Sequence, residues 1–320
     1  MKSAIIKFLK KREEYISGEE ISDSLNISRQ ALWKNIQNLR DLGYDIVAVP
    51  HLGYKLVSRP DRMFPWEIQQ DLDTKFIGRN IYYYDTVPST MDVAFEAGVN
   101  DLSMPEGSIF LSETQTKGKG RLGRGWSSPK YKGLYLSLVL KPKILPSQAS
   151  LLTLLTAVGI CEAVKEIKGA GAKIKWPNDI LINDKKAAGI LTEINAETDI
   201  IHFVVIGIGI NVNNDKKALP AGAVSLKEET AEHIDRVYLL QEVLRCIEKN
   251  YLLFKQGQAK EIIDKWRGLN TTLGRRVKVN LQTGHLEGEA VDIDADGALL
   301  LRKDSGLTQR ITAGDIVHCR

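Results

Sequence analysis

"TQTKGKGRLGRGWSSPKYKGLYLSLVL", residues 114–140, decides the fold. Gly118, Gly120 and Gly123 spell G-x-G-x-x-G, but a dinucleotide turn needs a strand before it and a helix after it, so that a pyrophosphate meets the helix N-terminus. Here "GSIFLSE" (107–113) supplies the strand. The loop then runs through Ser127-Ser128-Pro129 into Leu134, Leu136, Leu138 and Leu140, whose period of two predicts a second strand. No Lys-Ser or Lys-Thr pair follows the glycines at P-loop spacing. The loop joins two strands, and a doubly wound nucleotide fold is excluded.

Downstream, "AKIKW" (172–176), "DILIN" (179–183), "AAGILTEI" (187–194) and "IIHFVVIGIGINV" (200–212) read as strands joined by tight turns such as Asn183-Asp184-Lys185. Connections this short make neighbours antiparallel, which predicts an α+β domain with an antiparallel sheet and helices on one side of it. "NIYYYDTV" (80–87) is a further strand. Helices are expected over 89–99, capped by Ser89 or Thr90, over the apolar stretch 145–167, and over 235–257 and 259–268. From about Thr272 the texture changes to short β-patterns punctuated by Thr283-Gly284, Asp296-Gly297, Ser305-Gly306 and Ala313-Gly314, the spacing of a small β-barrel. That segment holds 7 basic and 7 acidic residues, so nucleic acid is not its obvious partner.

Upstream, residues 1–60 read as three helices and a hairpin. In "SGEEISDSLN" (17–26), Ser17 and Glu20 have capping-box spacing, and Ile21 and Leu25 face inward. The next helix starts at Ser28 and puts Leu32, Ile36 and Leu39 on one face. Arg29, Gln30, Lys34, Asn35 and Asn38 occupy the other, and residues 28–40 contain no acid. Such a helix suits the major groove: amide and guanidinium groups for base edges, positive charge for phosphate. Ser28, Arg29, Gln30 and Lys34 are the candidate DNA contacts. "YDIVAVPHLGYKLV" (44–57) reads as a two-stranded wing with His51-Leu52-Gly53 at its tip. A small protein–protein module is the alternative for this segment. "SRPDRMFPWE" (58–67), with two prolines and mixed charge, reads as a linker. The expected domains are therefore 1–62, 65–271 and 272–320.

Composition agrees with several domains: 320 residues at 43% hydrophobic and 26% charged leave room for a large core. Residues 1–64 hold 11 Lys and Arg against 8 Asp and Glu, so +3 of the net +4 sits at the N-terminal end. Cys161, Cys246 and Cys319 are far apart, against a disulfide framework or zinc site. The five histidines are as scattered and offer no nucleophile–base couple. We expect no signal peptide, no membrane span and a cytoplasmic location.

Three constellations carry chemistry. Lys117, Lys119, Arg121 and Arg124 in a glycine-rich loop suit a polyanion, since glycine lets the backbone approach and guanidinium forks onto phosphate. Their mutual repulsion predicts a loop that is mobile until an anion orders it. A solvated basic loop is the alternative, and Gln115 and Trp126 beside it favour a site. Next, Trp176-Pro177-Asn178-Asp179 is a rigid turn bearing an amide and a carboxylate. Lys186, ahead of Ala187, Ala188 and Gly189, is placed to enter a cavity and stabilise charge developing on phosphorus, whereas Lys185 is a solvated turn residue. Last, Gly207 and Gly209 leave one strand face bare for a ligand or for close packing, with Asn211 and Asn213 at its end.

"ETQTKGKGRLGRGW", "KWPNDILIN", "KKAAGIL" and "GIGINVN", in this order behind a winged helix, resemble the bifunctional biotin protein ligase and biotin operon repressor family over the whole chain. The resemblance implies an α+β multidomain protein. Its parts would be an N-terminal winged helix-turn-helix, a central antiparallel-sheet α/β ligase domain of the class II aminoacyl-tRNA synthetase/biotin ligase type, and a C-terminal SH3-like β-barrel. It implies coupling of biotin to ATP as biotinyl-5'-adenylate, then transfer to a lysine of a biotin carboxyl carrier domain, with magnesium as metal and Asp179 its candidate ligand. Lys186 and Arg121 would be catalytic. Ser89, Thr90, Met91, Gln115, Lys119, Gly120, Arg121 and Lys186 would surround biotin; Arg121, Arg124, Trp126, Asn178, Asp179, Asn211 and Arg320 would serve the nucleotide. Operator DNA would be bound by a homodimer that forms with ligand, and no membrane is involved. Met91 replaces the polar residue common in the family, and Lys119 replaces an arginine, keeping charge but losing the bidentate fork. A ligand-responsive regulator without catalysis and a lipoyl or octanoyl ligase are the competing readings. The retained Arg121, Arg124 and Lys186 weigh against the first; the winged helix and the "GKGRLGR" loop weigh against the second.

Overall fold

The computed structural model describes residues 1–12, 14–281 and 284–318 and divides into two compact units, Met1–Asp71 and Leu72–Arg320. In the first, α1 (Lys2–Lys10) precedes two helices whose starts are set by serines. Ser17 Oγ accepts from Glu20 N at 3.1 Å to open α2 (Gly18–Leu25), and Ser28 Oγ accepts from Ala31 N at 3.1 Å to open α3 (Arg29–Asp41). Asn26 takes a left-handed conformation, φ 51°, which turns the chain between α2 and α3 within three residues. Strands β1 (Asp45–Val49) and β2 (Gly53–Ser58) form the antiparallel wing. Gly53 is required there: its φ is +109°, and a Cβ would lie 2.0 Å from the Ile16 carbonyl oxygen. Ile5, Leu9, Ile21, Leu32, Ile36, Leu39 and Ile46 make the core of this unit.

The stretch 58–67 is not the linker its prolines suggested. Met63, Phe64 and Ile68 are buried, and Pro65 opens a short helix, α4 (Pro65–Gln70), where a missing N–H costs nothing. Glu67 is buried too, accepting from Lys10 Nζ at 2.6 Å and Tyr44 Oη at 2.7 Å. Apolar burial outweighs local turn chemistry here, and the first unit runs on to Asp71.

The second unit is built on a seven-stranded sheet. Its strands are β3 (Ile81–Tyr84), β4 (Ile109–Ser112), β5 (Leu134–Leu140), β6 (Ala172–Lys175), β7 (Asp179–Ile182), β8 (Lys185–Ala196) and β9 (Ile201–Ile210), in the order β3-β4-β5-β9-β8-β7-β6. Strands β6 to β9 form the expected antiparallel meander. The sheet is not wholly antiparallel, because β3 and β4 run parallel. Helix α5 (Thr90–Asn100) fills the crossover between them, which a parallel pair requires.

Helices also cover both faces, not one. Phe203 in β9 packs edge-on against Phe95 of α5, 5.3 Å between ring centres, so Phe203, Val205, Gly207 and Gly209 face α5. Thr192 pairs across β8–β9 with Ile206, on the opposite face, and its hydroxyl meets Thr153 at 2.8 Å on α6 (Ser150–Lys165). Against α6 pack α8 (Arg236–Lys255) and α9 (Ala259–Leu269); a short α7 (Leu226–Thr230) precedes them. The stretch Pro146–Lys165 is, contrary to expectation, long and apolar enough to cross a membrane by composition, but most of it is buried in this core.

The C-terminal segment is an antiparallel five-stranded sheet. It comprises β10 (Arg276–Leu281), β11 (Gly284–Ile293), β12 (Leu299–Arg302), β13 (Thr308–Ile311) and β14 (Asp315–His318), ordered β13-β12-β11-β10-β14. Among the described residues β13 and β14 do not pair with each other. Trp176 Nε1 donates to the Gly297 carbonyl at 3.2 Å and ties this sheet to the end of β6.

Candidate active site

Register places the site. Reading across the α5 face of the large sheet, Lys175 pairs with Asp179, Asp179 with Gly189, Gly189 with Gly209 and Gly209 with Tyr135. Partners in such a row point to the same side. One row thus begins with a cation and a carboxylate and continues as two glycines, a bare floor. The neighbouring row runs Leu191, Gly207, Ser137.

Two side chains cover the glycines. A Cβ on Gly207 would come within 2.5 Å of Met91 Sδ, and one on Gly209 within 2.5 Å of Trp126 Cε2. The bare face therefore accommodates side chains that line a cavity of about 410 Å³, within the usual range for small-ligand pockets. Met91 contributes an apolar contact there, 3% exposed. The Trp126 indole N–H is buried and meets no protein acceptor among the described residues.

Around the Leu191–Gly207–Ser137 row a polar chain is closed by hydrogen bonds. Gln115 Oε1 accepts from Thr90 N (2.8 Å) and Thr90 Oγ1 (3.1 Å), Ser137 Oγ donates to Thr90 Oγ1 (2.9 Å), and Gln115 Nε2 donates to Ser128 Oγ (3.0 Å). Around the Lys175–Asp179 end of the other row the groups are charged. Lys186 Nζ lies 2.6 Å from Asp179 Oδ1 and 5.5 Å from the Trp126 ring centre. Its main chain is gripped on both sides, Lys186 N donating to Gly222 O (2.8 Å) and Lys186 O accepting from Val224 N (3.0 Å).

The loop's cations do not repel one another into solvent. Arg121 Nη1 donates to Asn178 Oδ1 (3.0 Å) and Gly314 O (3.2 Å) and lies 3.5 Å from Asp315 Oδ1, while Arg124 forms an ion pair with the other oxygen of Asp315. Lys119 pairs with Asp92 of α5, whose carboxylate raises the lysine above its ordinary value. Burial lowers Arg121, opposed by Asp179 and assisted by Arg124; since a guanidinium stays protonated, this reflects the cost of holding charge in a half-buried place. Carboxylates from α5 and β14 thus offset the like-charge repulsion on which the expectation of a mobile loop rested. Lys117 is exposed and outside the cavity; Lys185 is exposed as expected.

Asn178 is spent as a bracket, its Nδ2 donating to Ile190 O at 2.7 Å while its oxygen holds Arg121. Asn211 Nδ2 donates to Val224 O at 3.2 Å. The cavity thus collects Thr90, Met91, Gln115, Lys119, Gly120, Arg121, Arg124, Trp126, Asn178, Asp179, Lys186 and Asn211. Ser89 is buried at the start of α5, outside the lining, its hydroxyl without a protein partner among the described residues. Arg320 lies outside the described residues. Sequence reasoning missed Lys175, Asp315 and Leu219-Pro220 on the rim. The alternation in "AKIKW" could have found Lys175; no local signal marks Asp315.

In the first unit, Ser28, Arg29, Gln30 and Lys34 form one exposed patch on the early turns of α3, joined by Trp33, 57% exposed, which the pattern had not singled out. Asn35, expected on that face, donates instead to the Ala31 carbonyl at 2.8 Å. Arg40 donates twice to Ile46 O, at 2.9 and 2.7 Å, and fixes the wing to α3.

The chain is similar to known proteins in all three of its segments. Residues 83–211 match the biotin/lipoate A/B protein ligase family, residues 2–55 a helix-turn-helix domain, and residues 272–319 the biotin protein ligase C-terminal domain. The chain is 39% identical to the bifunctional ligase/repressor BirA of Bacillus subtilis, covering 98% of this chain and 97% of that one. To BirA of Escherichia coli it is 31% identical, covering 95% and 92%. Among solved structures, a biotin protein ligase from Aquifex aeolicus in complex with biotin and ATP superposes with a TM-score of 0.64 at 31% identity, over 76% of this chain and 99% of that one. The chain belongs to the family of bifunctional biotin ligase/repressors.

Proposed function

We propose that this chain couples biotin to ATP, passes the biotinyl group to a lysine of a biotin carboxyl carrier domain, and represses transcription with biotinyl-5'-adenylate as corepressor. The observation that carries the reading is the charged end of the cavity: Asp179 and Lys186 beside two guanidiniums, next to a glycine floor that seats the Trp126 ring. Thr90, held by Ser137, and Gln115 supply donors and acceptors suited to a ureido group, with Met91 and Leu191 against the apolar remainder.

In the first step a carboxylate oxygen of biotin attacks the α-phosphorus, the bond to the bridging oxygen breaks, and pyrophosphate leaves with the electron pair. Lys186, between the two reactants, offsets the charge that develops on phosphorus, and Arg121 and Arg124 exchange Asp315 for phosphate oxygens. In the second step the carrier amine attacks the acyl carbon and AMP departs. Magnesium would offset phosphate charge. The residues fit an ion carried by ATP: among the described residues no three metal-ligating side chains cluster, and Asp179 alone suits a site completed by phosphates.

On the DNA side, Ser28, Arg29, Gln30 and Lys34 are the operator contacts, presented twice by a ligand-induced homodimer. The working division moves the first boundary from 62–65 to Asp71 and keeps the second at 272, with the C-terminal sheet as an SH3-like barrel and the cytoplasm as the setting.

ATP–pyrophosphate exchange tests the enzyme. Exchange should depend on biotin and fall at least about 10²-fold in Lys186→Ala, the scale of one lost transition-state donor. Exchange with lipoate in place of biotin would move the assignment to a lipoyl ligase. No exchange with either acid would make the chain a ligand-binding regulator.

A further inference from the structure

Four cations at the cavity are already matched by carboxylates: Lys119 by Asp92, Arg121 and Arg124 by Asp315, and Lys186 by Asp179. A fifth is not. Lys175, at the end of β6, lines the same cavity, is half-buried, and makes no ion pair or hydrogen bond from its side chain among the described residues. Its place follows from register. Lys175 pairs across the sheet with Asp179, so its side chain rises on the cavity face beside that carboxylate, whose Oδ1 is engaged by Lys186.

The environment of Lys175 is unfavourable to a lone cation. Burial lowers its ammonium below the ordinary lysine value; Asp179 opposes this, and Lys186 and Arg124 add to it. A half-buried ammonium flanked by two other cations costs free energy that a polyanion would return. Position along the row indicates which anion. Gly189 and Gly209 lie under Trp126, and the Thr90–Gln115–Ser137 chain lies beyond them on the neighbouring row. Lys175 stands at the opposite end, on the sheet's edge strand, with Asp179 between it and the glycine floor. An α-phosphate at Lys186 leaves the β- and γ-phosphates to extend toward this end.

We propose that Lys175 is a binding residue for the leaving group, taking the β- and γ-phosphates of ATP and holding the pyrophosphate they become. The inference rests on the ligase reading for its place in the reaction, but pyrophosphate binding by itself does not.

The direct test is calorimetric titration of the full-length protein with inorganic pyrophosphate. Lys175→Met should weaken binding about 10-fold or more, the effect of one charge-assisted contact, and Lys175→Arg should restore most of it. In exchange assays the Michaelis constants for ATP and pyrophosphate should rise in Lys175→Met while that for biotin stays within about twofold. Transfer from preformed biotinyl-5'-adenylate, which involves no pyrophosphate, is the control step. Equal pyrophosphate affinity in wild type and Lys175→Met would overturn the proposal, as would a loss shared equally by the transfer step. Wild type that binds pyrophosphate through Lys175 yet fails to exchange with biotin would leave this site standing and sink the ligase reading instead.

Discussion

On α3, Arg29, Gln30 and Lys34 stand in solvent, and Arg29 pairs with Glu19 while both side chains stay about 70% exposed. In the cavity of the larger unit, Arg121 is one-fifth exposed, donates to Asn178 and Gly314, and lies 3.5 Å from Asp315. The residue types are the same, and the difference is what surrounds them. Exposed cations keep their hydration and meet a partner's phosphates by releasing counterions, which makes affinity a function of salt. Half-buried cations have given up part of that hydration and are kept in place by carboxylates from distant strands, so their geometry precedes the ligand.

The sharpest way to break this contrast is at the stems of the glycine-rich loop. Glu113 and Arg236 are fully buried and paired at 2.9 Å, and Arg236 also donates to Gly133 O, so one guanidinium holds both ends of the segment. Arg236→Met should cost about 3–5 kcal/mol in urea unfolding, since it leaves a buried carboxylate without its main partner. A loss below about 1 kcal/mol would mean that buried charge is tolerated here as easily as exposed charge.

Gly209→Ala comes next. Its Cβ would overlap the Trp126 ring, which must move, and a shift of that size should lower adenylation about 10- to 10²-fold with the fold intact. Full activity would show that the cavity tolerates movement of the Trp126 ring.

On the exposed face, Lys34→Gln should weaken DNA binding less than about tenfold, almost equally for all sequences, and reduce the slope of log affinity against log salt by about one. An unchanged slope would remove Lys34 from the phosphate contacts. The smallest effect belongs to the exposed Lys119–Asp92 pair. Asp92 raises the folded-state value of Lys119, so the pair's stabilisation is fully present below the ordinary lysine value and is lost as pH rises through the raised one. Asp92→Asn and wild type should therefore differ slightly in Tm at neutral pH and converge in strong alkali; a difference that grew with pH would contradict the pairing.

Much of this was legible in the chain itself. The caps at Ser17 and Ser28, the meander of 172–212 and the positions of Gln115, Trp126, Asp179 and Lys186 all follow from spacing and residue type over a few positions, where hydrogen-bond and pleat geometry act. The linker reading of 58–67 failed because prolines are local signals, whereas the burial of Met63 and Ile68 is not. The one-sided sheet failed for a related reason: alternation shows that a strand has two faces but not which helix comes to lie on each.

By itself, then, the sequence determined the helices and wing of 17–57, the strands of 172–212, and which basic side chains gather near glycines. Only the tertiary structure decided that Asp315 balances Arg121 and Arg124, that Asp92 balances Lys119, and that Lys175 faces the cavity without an ion pair among the described residues. The physical reason is range. Local structure is set within a turn or a pleat, but charge is balanced by whichever carboxylate folding brings close, and in this chain that carboxylate lies on β14, at the other end of the unit's sequence.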